Sequence, residues 1–171
     1  MCVKICLTKK SKVMKNVKIF VVSISLLGAL LICCQNEVMT ENCTGENTKI
    51  LNTFYSDEFA VVPCSLQNID SEVREVNLVI KNQKDFENYI TCSAQLPEID
   101  FEKYFILAGM YKHNQCAVFD SQQVLLCNNR IVYRVGMLEQ VCAAFTNVYY
   151  FAVIDRQHVN LPVVFDVKFS N

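Results

Sequence analysis

The sequence predicts a β-rich α+β domain: an antiparallel sheet curled into a small sandwich or partial barrel, with one short helix. Three observations predict it. Apolar and polar residues alternate with period two in several segments between residues 75 and 169, the pattern of half-buried strands. The segments after residue 103 are joined by short turns, with no stretch long enough for the crossover helix that parallel strands need. Six cysteines, spaced widely after residue 34, suit a small domain stapled by disulfides.

The N-terminus reads as an address. Six of the sixteen basic residues precede Phe20, whereas all seventeen acidic residues follow Cys34. Between them residues 19 to 34 (IFVVSISLLGALLICC) carry no charge and end at a polar QNE, which is the layout of a signal peptide. The run falls short of the roughly 20 apolar residues that span a bilayer. Met14 opens a compact basic segment, MKNVK, directly before it, and is the expected true start. The exit, LLICC, resembles the lipobox of bacterial lipoproteins, which implies acylation of Cys34, with Cys33 as second choice, and removal of what precedes it. The sequence thus divides into a signal peptide with lipobox (residues 1–34), a polar tether (35–57) and a disulfide-stapled β-rich domain (58–171).

Within the domain, Val76, Leu78 and Ile80 fall on one face of a strand. Asn82, with Asp85 three residues on, is placed to cap a short amphipathic helix over 83–90, in which Phe86, Tyr89 and Ile90 share a face. After Pro97, residues 103–111 (KYFILAGMY) form an apolar strand covered on both faces, whose Gly109 signals a bulge or a close backbone contact. Residues 117–127 and 130–137 form a hairpin through Asn128-Asn129, since asparagine tolerates the left-handed conformation of a tight turn. Residues 138–146 suit either a short helix or a buried loop pinned by Cys142. The run 147–154, apolar on both faces, reads as a central strand, and 162–169 as an alternating one. Six strands and one helix result.

The mature part carries ten basic against seventeen acidic residues, a formal charge of −7, which repels phosphate backbones and argues against nucleic acid as a partner. Cys43, Cys64, Cys92, Cys116, Cys127 and Cys142 include no closely spaced pair, so disulfides are expected and a metal site is not. Of the fifteen pairings open to six cysteines, Cys116 with Cys127 and Cys92 with Cys142 are the reasonable ones to expect. No cofactor motif is present, and no catalytic group is expected. The one Cys/His juxtaposition is Cys116 near His113, and it would need a free thiolate. Glu98, Asp100 and Glu102 alternate as calcium ligands can, though a solvated loop accounts for them equally. In Tyr149-Tyr150-Phe151 strand alternation sends Tyr150 to the face opposite its neighbours, leaving one face free to be a binding surface unless it too is covered.

Residues 96–109 (LPEIDFEKYFILAG), following a strand and helix and preceding NVYYFAVI and VVFDVKF, resemble small cysteine-containing lipoproteins of Bacteroidetes-type bacteria. The order of strand, helix, Asp100-Phe101 and apolar strand with Gly109 is more distantly similar to the C-terminal domain of protease-complex accessory lipoproteins, although Gln115-Cys116-Ala117 stands where that family has a Gly-aromatic element. The anchor signal, the disulfides and the missing catalytic groups lead to the expectation of a non-enzymatic module on the cell envelope that binds another envelope protein, anchored to a bacterial membrane (the outer membrane by expectation) through its N-terminal lipid; the resemblance implies a protease as that partner. Two alternatives are a carrier of a small hydrophobic ligand in a partly open barrel, and a Cys/His enzyme.

Overall fold

The computed structural model describes Cys43, residues 48–95 and residues 98–170. The expected signal peptide, Met14 and both lipidation candidates, Cys33 and Cys34, lie outside the described residues. No helix among those described is long and apolar enough to cross a membrane.

The domain is a β-rich α+β sandwich. Its strands are β1 (Thr48–Ile50), β2 (Cys64–Leu66), β3 (Glu75–Ile80), β4 (Ile90–Cys92), β5 (Tyr104–His113), β6 (Cys116–Cys127), β7 (Arg130–Gln140), β8 (Thr146–Asp155) and β9 (Val163–Ser170). Two helices, α1 (Ser56–Val61) and α2 (Gln83–Tyr89), and a 3-10 turn at Arg156–His158 complete the described residues. They form a four-stranded sheet β1-β6-β7-β9, a three-stranded sheet β3-β5-β8 and a small ladder β2-β4.

The three-stranded sheet is the middle layer, because its apolar residues alternate between two cores. Phe105, Leu107, Tyr150, Ala152 and Ile154 pack against Ile131, Tyr133, Val135 and Met137 of β7. Ile106, Ala108, Met110, Phe151 and Val153 point the other way, onto Leu66, Ile80, Ile90 and Ile99 and the aromatic rings of α1 and α2. This two-sided burial is why β5 and β8 read as unbroken apolar runs rather than alternating ones.

Local chemistry sets several elements as expected. Asn82 caps α2, its side chain accepting the Asp85 N–H at 2.9 Å. Asn128 and Asn129 both take positive φ (49° and 60°), so β6 and β7 join in a tight turn whose twist matches the strands. Gly109 sits between Asn77 and Tyr150 in the ladder. The Tyr150 ring crosses over it, so that a Cβ at Gly109 would fall 2.1 Å from the ring, and the Tyr150 hydroxyl reaches Asn77 Oδ1 at 2.8 Å.

Other expectations need correction. Residues 48–57 are not tether: β1 pairs with residues 125–127 of β6, Leu51 is buried and Phe54 bridges Val153. A few apolar side chains in a polar stretch suffice once a strand edge is there to receive them. Among the described residues nine strands replace six, since β1, β2 and β4 are three residues long and give too little alternation to read. The strand β9 runs parallel to β7, because β8, which lies between them in sequence, crosses to the other sheet and acts as the return leg. For the same reason β8 ends the β3-β5-β8 ladder, and β5 is its central strand. Residues 138–140 extend β7, and 141–145 form an exposed loop rather than a helix or a buried loop.

Candidate functional site

Two places collect the residues singled out by sequence. The first is where β5 hands over to β6 and β7 to β8. There Cys116 is bonded to Cys142, so it offers no thiol for a Cys/His pair. His113 is nearly buried, its Nε2 3.0 Å from a Glu139 carboxylate oxygen and its Nδ1 accepting the Gln115 N–H at 3.2 Å. Its ring stacks on Phe169 at 4.6 Å. Every polar atom of the imidazole is occupied in holding a turn closed. Around this turn Val118, Leu138, Val141 and Phe145 are exposed.

The second place is a cleft of about 1020 Å³ between α2, β4 and the turn that leads into β5. Phe86, Ile90, Ile99 and Phe101 give it an apolar floor, and Glu87, Glu98, Asp100 and Glu102 an acidic rim. The turn is shaped by Asp100, whose carboxylate accepts the Glu102 N–H at 3.0 Å and pairs with Lys103 at 2.8 Å. The Asp100 carbonyl accepts the Tyr104 N–H, launching β5. The hydrogen bond from the Lys103 ammonium, aided by the Glu102 N–H, holds the Asp100 carboxyl below the ordinary carboxylate range. The Phe101 ring lies tilted beside that of Phe86, 6.1 Å between ring centres, and the Arg156 guanidinium donates to the carbonyls of Phe101 and Lys81. Asp100 and Phe101 therefore form and anchor the wall of the cleft. The three alternating acids do not converge on a point, and no cluster of metal-ligating side chains occurs among the described residues.

The disulfides are Cys43–Cys127, Cys64–Cys92 and Cys116–Cys142. All six expected half-cystines are used, but neither expected pairing forms. Cys116 and Cys127 stand at opposite ends of one strand, roughly 36 Å apart at about 3.3 Å per residue. Cys92 lies on β4, directly opposite Cys64 of β2, while Cys142 lies on the loop that follows β7.

Tyr149, Tyr150 and Phe151 do alternate, yet both faces are covered: Tyr150 lies between the sheets and Phe151 stacks on Phe59 of α1 at 5.1 Å. The aromatic stripe is packing. Burial, and secondarily the neighbouring Tyr150, pushes the Tyr133 phenol well above its ordinary range. Burial does the same to Tyr150. The space between the two sheets is filled by these rings and by Phe105, Leu107 and Met137, and the cleft lies on the other face of the middle sheet.

Sequence reading missed Glu87 and Phe86 as partners of the 98–102 turn. The available signal was the convergence of acids on both segments, which only their approach in space turns into a site. No family model, no curated protein and no solved structure matches the chain.

Proposed function

We propose that the protein is a lipid-anchored component of a bacterial cell envelope that acts without catalysis, binding another envelope protein through the cleft beside α2. The observation that carries this reading is the use of all six cysteines after residue 34 in disulfides, an arrangement that persists in oxidising compartments. The charge-free run, the basic residues before it and the cysteine at its exit supply the export and acylation signals. If Cys34 is acylated, residues 35 to 42 are all that separates the lipid from Cys43 and its bond to β6. The cleft suits an extended segment of a partner, with apolar side chains on the floor and a lysine or arginine at the acidic rim. The His113 site supports no rival chemistry, since its thiol and both ring nitrogens are engaged.

Two measurements test the reading. Mass spectrometry of the native product should find an acylated Cys34 at the N-terminus and no thiol alkylation before reduction. Residues 1 to 34 still attached, or free thiols in an intracellular pool, would overturn it. Cross-linking in intact cells should capture a reproducible envelope protein, and Glu87→Lys with Glu98→Lys should abolish that capture. Capture that is indifferent to both charge reversals would remove the cleft from the proposal.

A carrier of a small hydrophobic ligand is the second reading, favoured by the apolar floor of the same cleft. Native mass spectrometry separates the two, because a carrier purified from membranes arrives with a ligand of constant mass.

A further inference from the structure

Sheet edges invite further strands unless something blocks them, and the edges of this sandwich are not alike. The free edge of β6 carries a bulge between Phe119 and Ser121. The free edge of β3 places Glu75 and Asn77 on the same face as Val79, where an added strand would bury them. The edge of β8 is met by Phe54. The strand β9 has none of these protections: its eight residues contain no bulge, proline or inward charge. Among the described residues it pairs with β7 alone.

Backbone geometry says which groups the edge offers. The Ile131 N–H donates to the carbonyl of Pro162 at 2.8 Å, so Pro162 directs its C=O, and residues 164, 166 and 168 both their N–H and C=O, toward β7. By alternation those of Val163, Phe165, Val167 and Phe169 face outward. The side chains of these same four pack on the sandwich core but remain only half-buried, whereas Ile131, Tyr133, Val135 and Met137 of the neighbouring β7 are at most 1% exposed. One more strand would finish their burial.

The geometry points to a second copy of this chain as that strand, paired antiparallel, β9 to β9, about a two-fold axis at Val167. The axis can fall on a residue of either kind, but at Asp166 or Lys168 it would set that residue against its own copy, like charge on like. About Val167, that residue exchanges both its hydrogen bonds with Val167 of the second copy, and Phe165 does so with Phe169. The pairs between them are the closer, non-hydrogen-bonded kind, and they set Asp166 opposite Lys168 of the second copy and Lys168 opposite Asp166. An axis at Phe165 would set Asp166 against Val164 and Lys168 against Pro162, with no charge matched. Lys168 lies exposed 3.2 Å from Asp166 of its own chain, and the pairing gives it a second carboxylate. Phe165 and Phe169 meet on the inner face, carrying the core across the junction.

Sedimentation velocity of the full chain in density-matched detergent tests this. The wild type should be a reversible dimer at micromolar concentration, and a monomer overturns the inference. Lys168→Glu sets like charges opposite one another at two positions and should weaken the dimer at least ~10-fold; Lys168→Arg should not. Lys168→Ala should also weaken it, whereas tighter association would show that Lys168 is there to repel a strand and would overturn the pairing. Val167→Pro deletes an edge-facing N–H without touching the β7–β9 ladder and should leave no dimer. Far-UV circular dichroism and the disulfide pattern report whether each variant is folded. A dimer that survives both Lys168→Glu and Val167→Pro uses another surface, and the inference falls.

Discussion

The middle sheet has two faces, made from alternate residues of the same strands and covered in different ways. One face meets the four-stranded sheet, and between them Phe105, Leu107, Tyr133, Val135, Met137 and Ile154 are at most 1% exposed. The other meets two helices of six and seven residues, neither of which contains a buried residue, and the two-stranded β2–β4 ladder. Sheet against sheet closes a core continuously, since both surfaces are broad and regular. A patchwork of short elements buries the centre as fully, with Ile80, Ile106, Ala108 and Val153 at most 1% exposed, but leaves Phe86, Tyr89 and Phe101 at its margin only half-buried, and the Cys64–Cys92 bond, the Asn82 cap and Arg156 hold it down. The cleft lies on that second face. Incomplete coverage and an opening for a partner are thus one structural fact.

Matched truncations test the difference. Phe105→Ala, between the sheets, should cost ~3–5 kcal/mol in urea unfolding, and Phe86→Ala, half-exposed at the cleft, less than half as much. Equal costs would break the comparison. Replacing Cys64 and Cys92 together by alanine opens a loop of sequence separation 28 and should cost ~3 kcal/mol. Amide exchange should then quicken in β2, β4 and α2 and stay slow in β6 and β7, while uniform quickening would mean that the two faces unfold as one. Gly109→Ala should cost ~1–3 kcal/mol through the displaced Tyr150 ring, and much less in a Tyr150→Ala background, as a double-mutant cycle would report. Asn82→Ala should cost ~1 kcal/mol through the lost cap, with the loss confined to α2.

The sheet face also carries a pH signature. The Tyr133 and Tyr150 phenols titrate above their ordinary range when folded, so the unfolded chain gives up these protons first as pH rises. Their contribution is fully present below about pH 10 and is lost as pH climbs above it. Tyr133→Phe should flatten the alkaline decline in stability, and an unchanged decline would place its source elsewhere.

Legibility in the sequence followed how local each cause is. The Asn82 cap, the Asn128-Asn129 turn and the alternation in 130–137 act within a few residues, and all were readable. Gly109 was readable as a close approach, but not that Tyr150 makes it. The tether reading failed at residues 48–57 because β1 exists only where the end of β6 receives it. The cleft was half legible: the alternating acids Glu98, Asp100 and Glu102 stand out in the sequence, while Phe86 and Glu87 join them through packing that brings α2 beside the turn.

By itself the sequence determined a β-rich α+β class, the hairpin and the capped helix, since alternation and turn chemistry are properties of neighbouring residues. Tertiary structure decided the disulfide partners, the parallel placement of β9 and the sorting of strands into three layers. A disulfide needs Cα atoms within about 7 Å, and a strand needs an edge to join. Both are distances between residues far apart in the chain, which spacing along it does not fix.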